Sequence, residues 1–162
     1  MIKEISGDIL LSKADLIAHG VAPNDPHSHG LALALREHAP AMYKDFRHYC
    51  KTRHPKSGEI WVWAGADGHR IASLFTQEGT YHADQTPGPA SLSNVHHALQ
   101  ALRKEIEREH IRTVALPRLA TGVGRLEWKD VRAEIDKTLG TLDTTVLIYS
   151  TYHAGQAADE AA

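Results

Sequence analysis

The chain has a single cysteine, Cys50, among 162 residues. One thiol cannot close an internal disulfide, so no disulfide framework staples this fold. It constrains the redox compartment only weakly, towards the reducing cytosol. No apolar run approaches the length of about 18 residues that a membrane helix needs, and no signal peptide is recognisable. The expectation is a cytoplasmic protein with no membrane partner. An excess of one charge is also lacking, because 18 Lys+Arg stand against 20 Asp+Glu, a formal charge of −2. That balance argues against gripping nucleic acid mainly by phosphate neutralisation and leaves room only for a local basic patch.

What is present is ordinary for a globular domain, with 42% hydrophobic and 23% charged residues. These values exclude a disordered chain, a collagen-like repeat and a coiled coil. A domain of this length buries about 70% of the surface of its unfolded chain and needs no metal to fold. Histidine is abundant, with twelve residues, so charge responds to pH between about 5 and 8. The expected organisation is one domain over 1–153, followed by a small, polar tail over 154–162 that frays. No internal repeat is visible.

Hydrophobic patterning alternates strand and helix. Residues 1–5, 16–21, 59–64, 69–76, 113–116 and 145–149 read as strands; 30–39, 41–52, 91–109 and 128–139 read as helices. Val95, Leu99, Leu102 and Ile106 share one helix face, and Ser91 or Ser93 can cap it. Such alternation predicts an α/β protein with a parallel or mixed sheet, which takes ligands beyond the carboxyl ends of its strands.

Two loops carry most of the chemistry. Pro117-Arg118-Leu119-Ala120-Thr121-Gly122-Val123-Gly124-Arg125 follows an apolar strand and precedes a helix. Its glycines let backbone amides turn inward, and such nests bind anions. It lacks the lysine of a Walker loop and the third glycine of a dinucleotide fingerprint; the bland alternative is an ordinary strand-to-helix turn. Ala22-Pro23-Asn24-Asp25-Pro26-His27-Ser28-His29-Gly30 follows the second apolar strand. Zinc held by His19, His27, His29 and His82 would need convergent geometry and usually a carboxylate or thiolate. Only the count of histidines is visible, so the reading takes no metal and no cofactor. Asp8 could accept a hydrogen bond from an exocyclic amine, although Asp is also a common turn or cap residue. His96-His97, Trp61, Trp63 and Cys50 read as structural.

Taken in order, Gly7-Asp8-Ile9-Leu10, Leu16-Ile17-Ala18-His19, Gly30-Leu31-Ala32-Leu33, Lys56-Ser57-Gly58-Glu59, Leu74-Phe75-Thr76 and Leu116-Pro117-Arg118 with Gly122-Val123-Gly124-Arg125-Leu126-Glu127-Trp128 resemble a macrodomain. The resemblance is to the branch of the terminal ADP-ribose glycohydrolase and the DarG antitoxin, over residues 1–152. It implies a three-layer α/β/α sandwich around a central mixed sheet, with ADP-ribose as ligand. It further implies that Asp8 holds the adenine amine, that Ile9 adds a ring contact, and that Tyr149, with Tyr152 as a nearby substitute, lies against adenine. Gly30 and Leu31 would approach the diphosphate and distal ribose. Ala120, Thr121, Gly122, Val123, Gly124 and Arg125 would wrap the phosphates, and His19, Thr76 and Gln77 would complete the ligand contacts.

The departures bear on mechanism. Relatives in this branch carry a nucleophilic lysine just after the Leu-Phe-Thr strand, where this chain has Gln77, and glutamine cannot form a Schiff base. The glycohydrolase also has an acidic residue in the phosphate loop, where Gly124 stands here. Three readings follow. One is a hydrolase acting on ADP-ribosylated DNA or protein, with His27, His29, Glu78 and His82 as candidate acids or bases. The second is an ADP-ribose-1″-phosphate phosphatase, and the third a non-catalytic ADP-ribose reader. A monomer is expected.

Overall fold

The computed structural model describes residues 1–79 and 87–161. A mixed sheet is built from β1 (Ile2–Gly7), β2 (Leu16–Val21), β3 (Ile60–Ala64), β4 (Arg70–Phe75), β5 (Thr113–Pro117) and β6 (Thr145–Tyr152). Their order is β1-β6-β5-β2-β4-β3. All neighbours run parallel except the β3–β4 hairpin. The helices are α1 (Gly30–His38), α2 (Pro40–Arg53), α3 (Leu92–Glu109) and α4 (Trp128–Leu139). This is the expected three-layer α/β/α arrangement.

The two-residue period of the strands assigns the layers. Leu16 and Ala18 on β2, Val114 and Leu116 on β5, and Val146 and Ile148 on β6 pack with Val95, Leu99, Leu102 and Ile106 of α3 and Val131 and Ile135 of α4. From the opposite face, Val21, Ile71 and Phe75 meet Leu35 of α1 and Met42, Phe46 and Cys50 of α2. Trp61 and Trp63 pack at the edge of this second cluster. Ser91 caps α3, its Oγ accepting from the Asn94 N–H at 3.0 Å. Burial pushes the Cys50 thiol pKa up, which suits a packing role. His96 Nδ1 lies 3.0 Å from a Glu134 carboxylate oxygen on α4, joining the two helices.

The carboxyl ends of β1, β2, β5 and β6 gather along one edge, which brings the loops after β2 and β5 side by side. Two sequence expectations differ here. The last strand continues to Tyr152, because Ser6 and Gly7 of β1 supply partners for Thr151 and Tyr152 past a bulge. The tail beyond it docks. The N–H groups of His153 and Asp8 donate to the carbonyls of Gly7 and Gln156, at 3.1 and 2.7 Å. Glu160 accepts from Ser12 Oγ (2.6 Å), Lys13 N–H (2.9 Å) and the Tyr149 hydroxyl (2.6 Å). A Cβ on Gly7 would stand 2.8 Å from that of Ala158, so glycine is what lets the tail close over β1. Polar backbone groups at the end of β1 need partners, and the tail supplies them.

Candidate functional site

Two adjoining cavities open at this edge and share Gly30, Leu31 and Pro117 in their walls. The first, of about 430 Å³, is lined largely by apolar groups. Asp8, Ile9, Tyr149 and Tyr152 line it together, joined by Leu10 and Ala34. Asp8 is 7% exposed and caps the short 3-10 turn Ile9–Leu11. One carboxylate oxygen accepts from the Leu10 N–H at 3.0 Å. The other accepts from the Gly155 N–H at 2.9 Å. Each oxygen keeps a further lone pair for a ligand donor. Burial, then the hydrogen bond to Glu160, raises the Tyr149 pKa well above its ordinary value and keeps the phenol neutral. Burial alone would raise the Glu160 carboxyl, but the hydrogen bonds from Ser12, Tyr149 and Lys13 win and lower it.

The second cavity, of about 250 Å³, lies between the two loops. His19, His29, Gln77, Ala120, Gly122, Val123 and Gly124 are in its wall. The N–H groups of Thr121, Gly122, Val123 and Gly124 donate no hydrogen bond among the described residues, whereas those of Arg125 and Leu126 turn back to Gly122 and Ala120. Ala120 takes a left-handed φ of 61° to make this turn. A Cβ on Gly124 would fall 2.5 Å from the Ala120 carbonyl oxygen. The turn therefore excludes any side chain at that position, an acidic one included. Across the cavity stands the amino end of α1, whose N-cap His29 makes no side-chain capping bond. A helix start and a glycine turn thus border one space, an arrangement suited to anions.

His19 is 2% exposed, and its Nε2 finds no partner among the described residues. Burial, then the neighbouring His27, lowers its pKa from 6.5 to about 3. It is a neutral imidazole at any working pH.

Several expected site residues lie elsewhere. His27 does not reach the cavity: it is 0% exposed, edge-on to Phe46, Tyr43 and His19, with Nδ1 3.0 Å from the Asp25 carbonyl. The left-handed φ of 52° at His27 accompanies this inward turn. Burial lowers its pKa too. Thr76 is buried beneath Gly20, and Thr121 turns its hydroxyl to the Arg118 carbonyl at 2.9 Å. Glu78 points to Asn94 at 3.3 Å, outside the cavity wall. Arg125 is exposed and also outside it. Gln77 is in the wall, but its Nε2 is tied to the Gly88 carbonyl at 3.1 Å. His82 lies outside the described residues.

Asp25 and the tail are neighbours of the candidate site that sequence reasoning missed. The Asp25 carboxylate accepts from the N–H groups of Ala22 (3.0 Å) and His27 (2.8 Å) and so shapes the first loop. The Asn-Asp-Pro turn chemistry is a usable signal for it. Nothing in the tail's composition signals the bond from Gly155. Among the described residues no group of three or more His, Cys, Asp or Glu is arranged to hold a metal ion.

A Macro domain family model matches residues 18–135. The chain belongs to the Macro domain family. This macrodomain is 23% identical to human ADP-ribose glycohydrolase OARD1, over 92% of the chain and 91% of that protein. It is 26% identical to a Mycobacterium tuberculosis DNA ADP-ribosyl glycohydrolase over 92% of the chain, but spans only 42% of that relative. Among solved structures, the macrodomain of Thermus aquaticus DarG has a TM-score of 0.82 at 24% identity, covering 93% of this chain and 98% of that one.

Proposed function

We propose that this macrodomain binds ADP-ribose across the two cavities and hydrolyses an ADP-ribosyl linkage on a nucleic acid or protein. The observation that carries the reading is the shared wall of Gly30, Leu31 and Pro117. It joins an apolar slot with a carboxylate in its wall to a space bordered by the glycine turn and the amino end of α1. Adenine suits the first, with its amine on Asp8 and its ring between Ile9, Tyr149 and Tyr152. The diphosphate suits the second, which explains how a chain of net charge −2 would hold a dianion without a basic pocket. The relatives named above, glycohydrolases of ADP-ribose and of DNA-linked ADP-ribose, support the choice of reaction.

In the proposed hydrolysis, water adds to the anomeric carbon of the distal ribose. The bond to the acceptor breaks, and the acceptor leaves with a proton taken from solvent, to which His29 later returns its own. His29 is exposed at the cavity wall and takes the proton from water. His19, held neutral, is in the same wall. Gln77 cannot form a Schiff base, so the reaction proceeds without a covalent lysine intermediate at that position. Calorimetry with ADP-ribose, followed by product analysis on ADP-ribosylated DNA and peptide, tests the proposal. Binding with release of ADP-ribose and intact acceptor is expected, and no binding would refute it. The amide of Gln77 at the cavity wall favours a second reading, a non-catalytic reader. Binding without release would establish it.

A further inference from the structure

The balanced overall charge conceals an uneven distribution. Between positions 36 and 56 stand six cations (Arg36, Lys44, Arg47, Lys51, Arg53 and Lys56) against only Glu37 and Asp45, so the rest of the chain is net acidic. Helix α2 sorts these charges by face. Met42, Phe46 and Cys50 point inward and are buried. Lys44, Arg47 and Lys51, spaced three and four apart, are exposed on the outward stripe. Lys44 and Lys51 lie about 10 Å apart along the helix. Asp45 is turned to the sheet side, where it accepts from Trp63 Nε1 at 2.8 Å.

These cations differ from the arginines of α3 and α4, although Lys104, Lys129 and Lys137 of those helices also have no carboxylate within 4.0 Å among the described residues. Arg103 on α3 and Arg132 on α4 are each paired with a carboxylate, at 3.0 and 2.6 Å, and Arg108 pairs with Glu105. Among the described residues, Arg36, Lys44, Arg47 and Lys51 have no carboxylate within 4.0 Å. Two of the cations touch the loop that lines the second cavity. Arg36 lies over the Tyr43 ring at 4.2 Å and donates to the Pro26 carbonyl at 3.1 Å. Arg47 donates to Asn24 Oδ1 at 3.2 Å. Both therefore brace the loop that carries Asp25, Ser28 and His29 into the second cavity.

We propose that the outer face of α2 (Lys44, Arg47 and Lys51), with Arg36 of α1 beside it, seats the backbone of a nucleic-acid strand whose ADP-ribosylated nucleotide enters the cleft. The inference rests on the ADP-ribosyl reading of the cleft and deepens it by choosing the acceptor class. Unpaired cations at helical intervals fit a repeating phosphate. A protein acceptor would call for an apolar interface centre, and this stripe has none.

The test uses Lys44→Glu/Lys51→Glu, two exposed positions that touch neither cavity. The readouts are ADP-ribose affinity by calorimetry, anisotropy of a fluorescent unmodified single-stranded DNA, and turnover on an ADP-ribosylated oligonucleotide and an ADP-ribosylated peptide. Oligonucleotide affinity and turnover should fall about tenfold or more, and the wild-type affinity should decline with log salt at a slope of about −2 to −3, for three or four phosphate contacts. ADP-ribose affinity and peptide turnover should be unchanged. Unaltered DNA affinity would overturn the proposal, as would an equal loss on the peptide, which would indicate an acidic protein partner instead. Wild-type protein that fails to bind ADP-ribose would overturn the reading of the cleft, and the DNA anisotropy would still decide the surface.

Discussion

Lowering the pH from 7 to 5 should cost the fold about 2 kcal/mol through His19 alone. In the folded chain, burial and then His27 hold the His19 pKa at about 3, against 6.5 for a free imidazole. Above pH 6.5 both states carry a neutral ring and the group is silent. As the pH falls below 6.5 the unfolded chain takes up a proton that the folded chain refuses, so stability is lost until the pH reaches about 3. At pH 5 the free group is almost fully protonated and the buried one is not. Each pH unit below 6.5 is worth about 1.4 kcal/mol, which gives the figure above. Urea melts at pH 7 and pH 5, for wild type and His19→Asn, measure it as a difference of slopes. His27, also lowered by burial, and Glu160 lose stability over acidic pH in the same direction, but they remain in both proteins. An identical pH dependence in the two proteins would refute the reasoning that His19 is kept neutral by its surroundings.

Asp8→Ala should weaken ADP-ribose binding by roughly 1–3 kcal/mol, the range for losing a buried hydrogen-bond partner, with calorimetry as the check. It should also free the Gly155 N–H, which donates to that carboxylate. Glu160→Ala leaves the Tyr149 hydroxyl and Ser12 without their shared acceptor. It should lower stability by about 1–3 kcal/mol in a denaturant melt and reduce affinity for adenosine-containing ligands. Gly124→Ala places a methyl 2.5 Å from the Ala120 carbonyl oxygen. It should abolish most ADP-ribose binding while circular dichroism shows the fold intact. His29→Ala should lower kcat more than affinity, whereas His27→Ala, in a fully buried position, should act mainly on stability. Equal turnover in His29→Ala and wild type would remove His29 from the reaction.

Much of this protein was legible in its residue order, because the information was local. Helix faces such as Val95, Leu99, Leu102 and Ile106 follow from a period that chain geometry imposes, and all four are buried. The glycine turn after β5 was readable for the same reason. The strand before it and the helix after it orient its amides, and four of them donate no hydrogen bond among the described residues. Asp8 was legible as a short polar residue at the end of a strand. His27 and His29 were not separable by sequence, since two histidines one residue apart look equivalent. A left-handed turn at His27 sends one inward among Tyr43 and Phe46 and leaves the other at the cavity wall.

By itself, then, the sequence determined the elements, their alternation and the two loops that make the site, each set by interactions among near neighbours. Tertiary structure alone decided which groups meet across long separations. Gly155 reaches Asp8 across 147 positions. The loops after β2 and β5 come together only because those strands are neighbours in the sheet. Among the described residues Lys44, Arg47 and Lys51 of α2 have no carboxylate within 4.0 Å, whereas Arg103 of α3 and Arg132 of α4 each have one. Such pairings depend on strand order and layer stacking, which the whole hydrophobic core sets and no short window of sequence encodes.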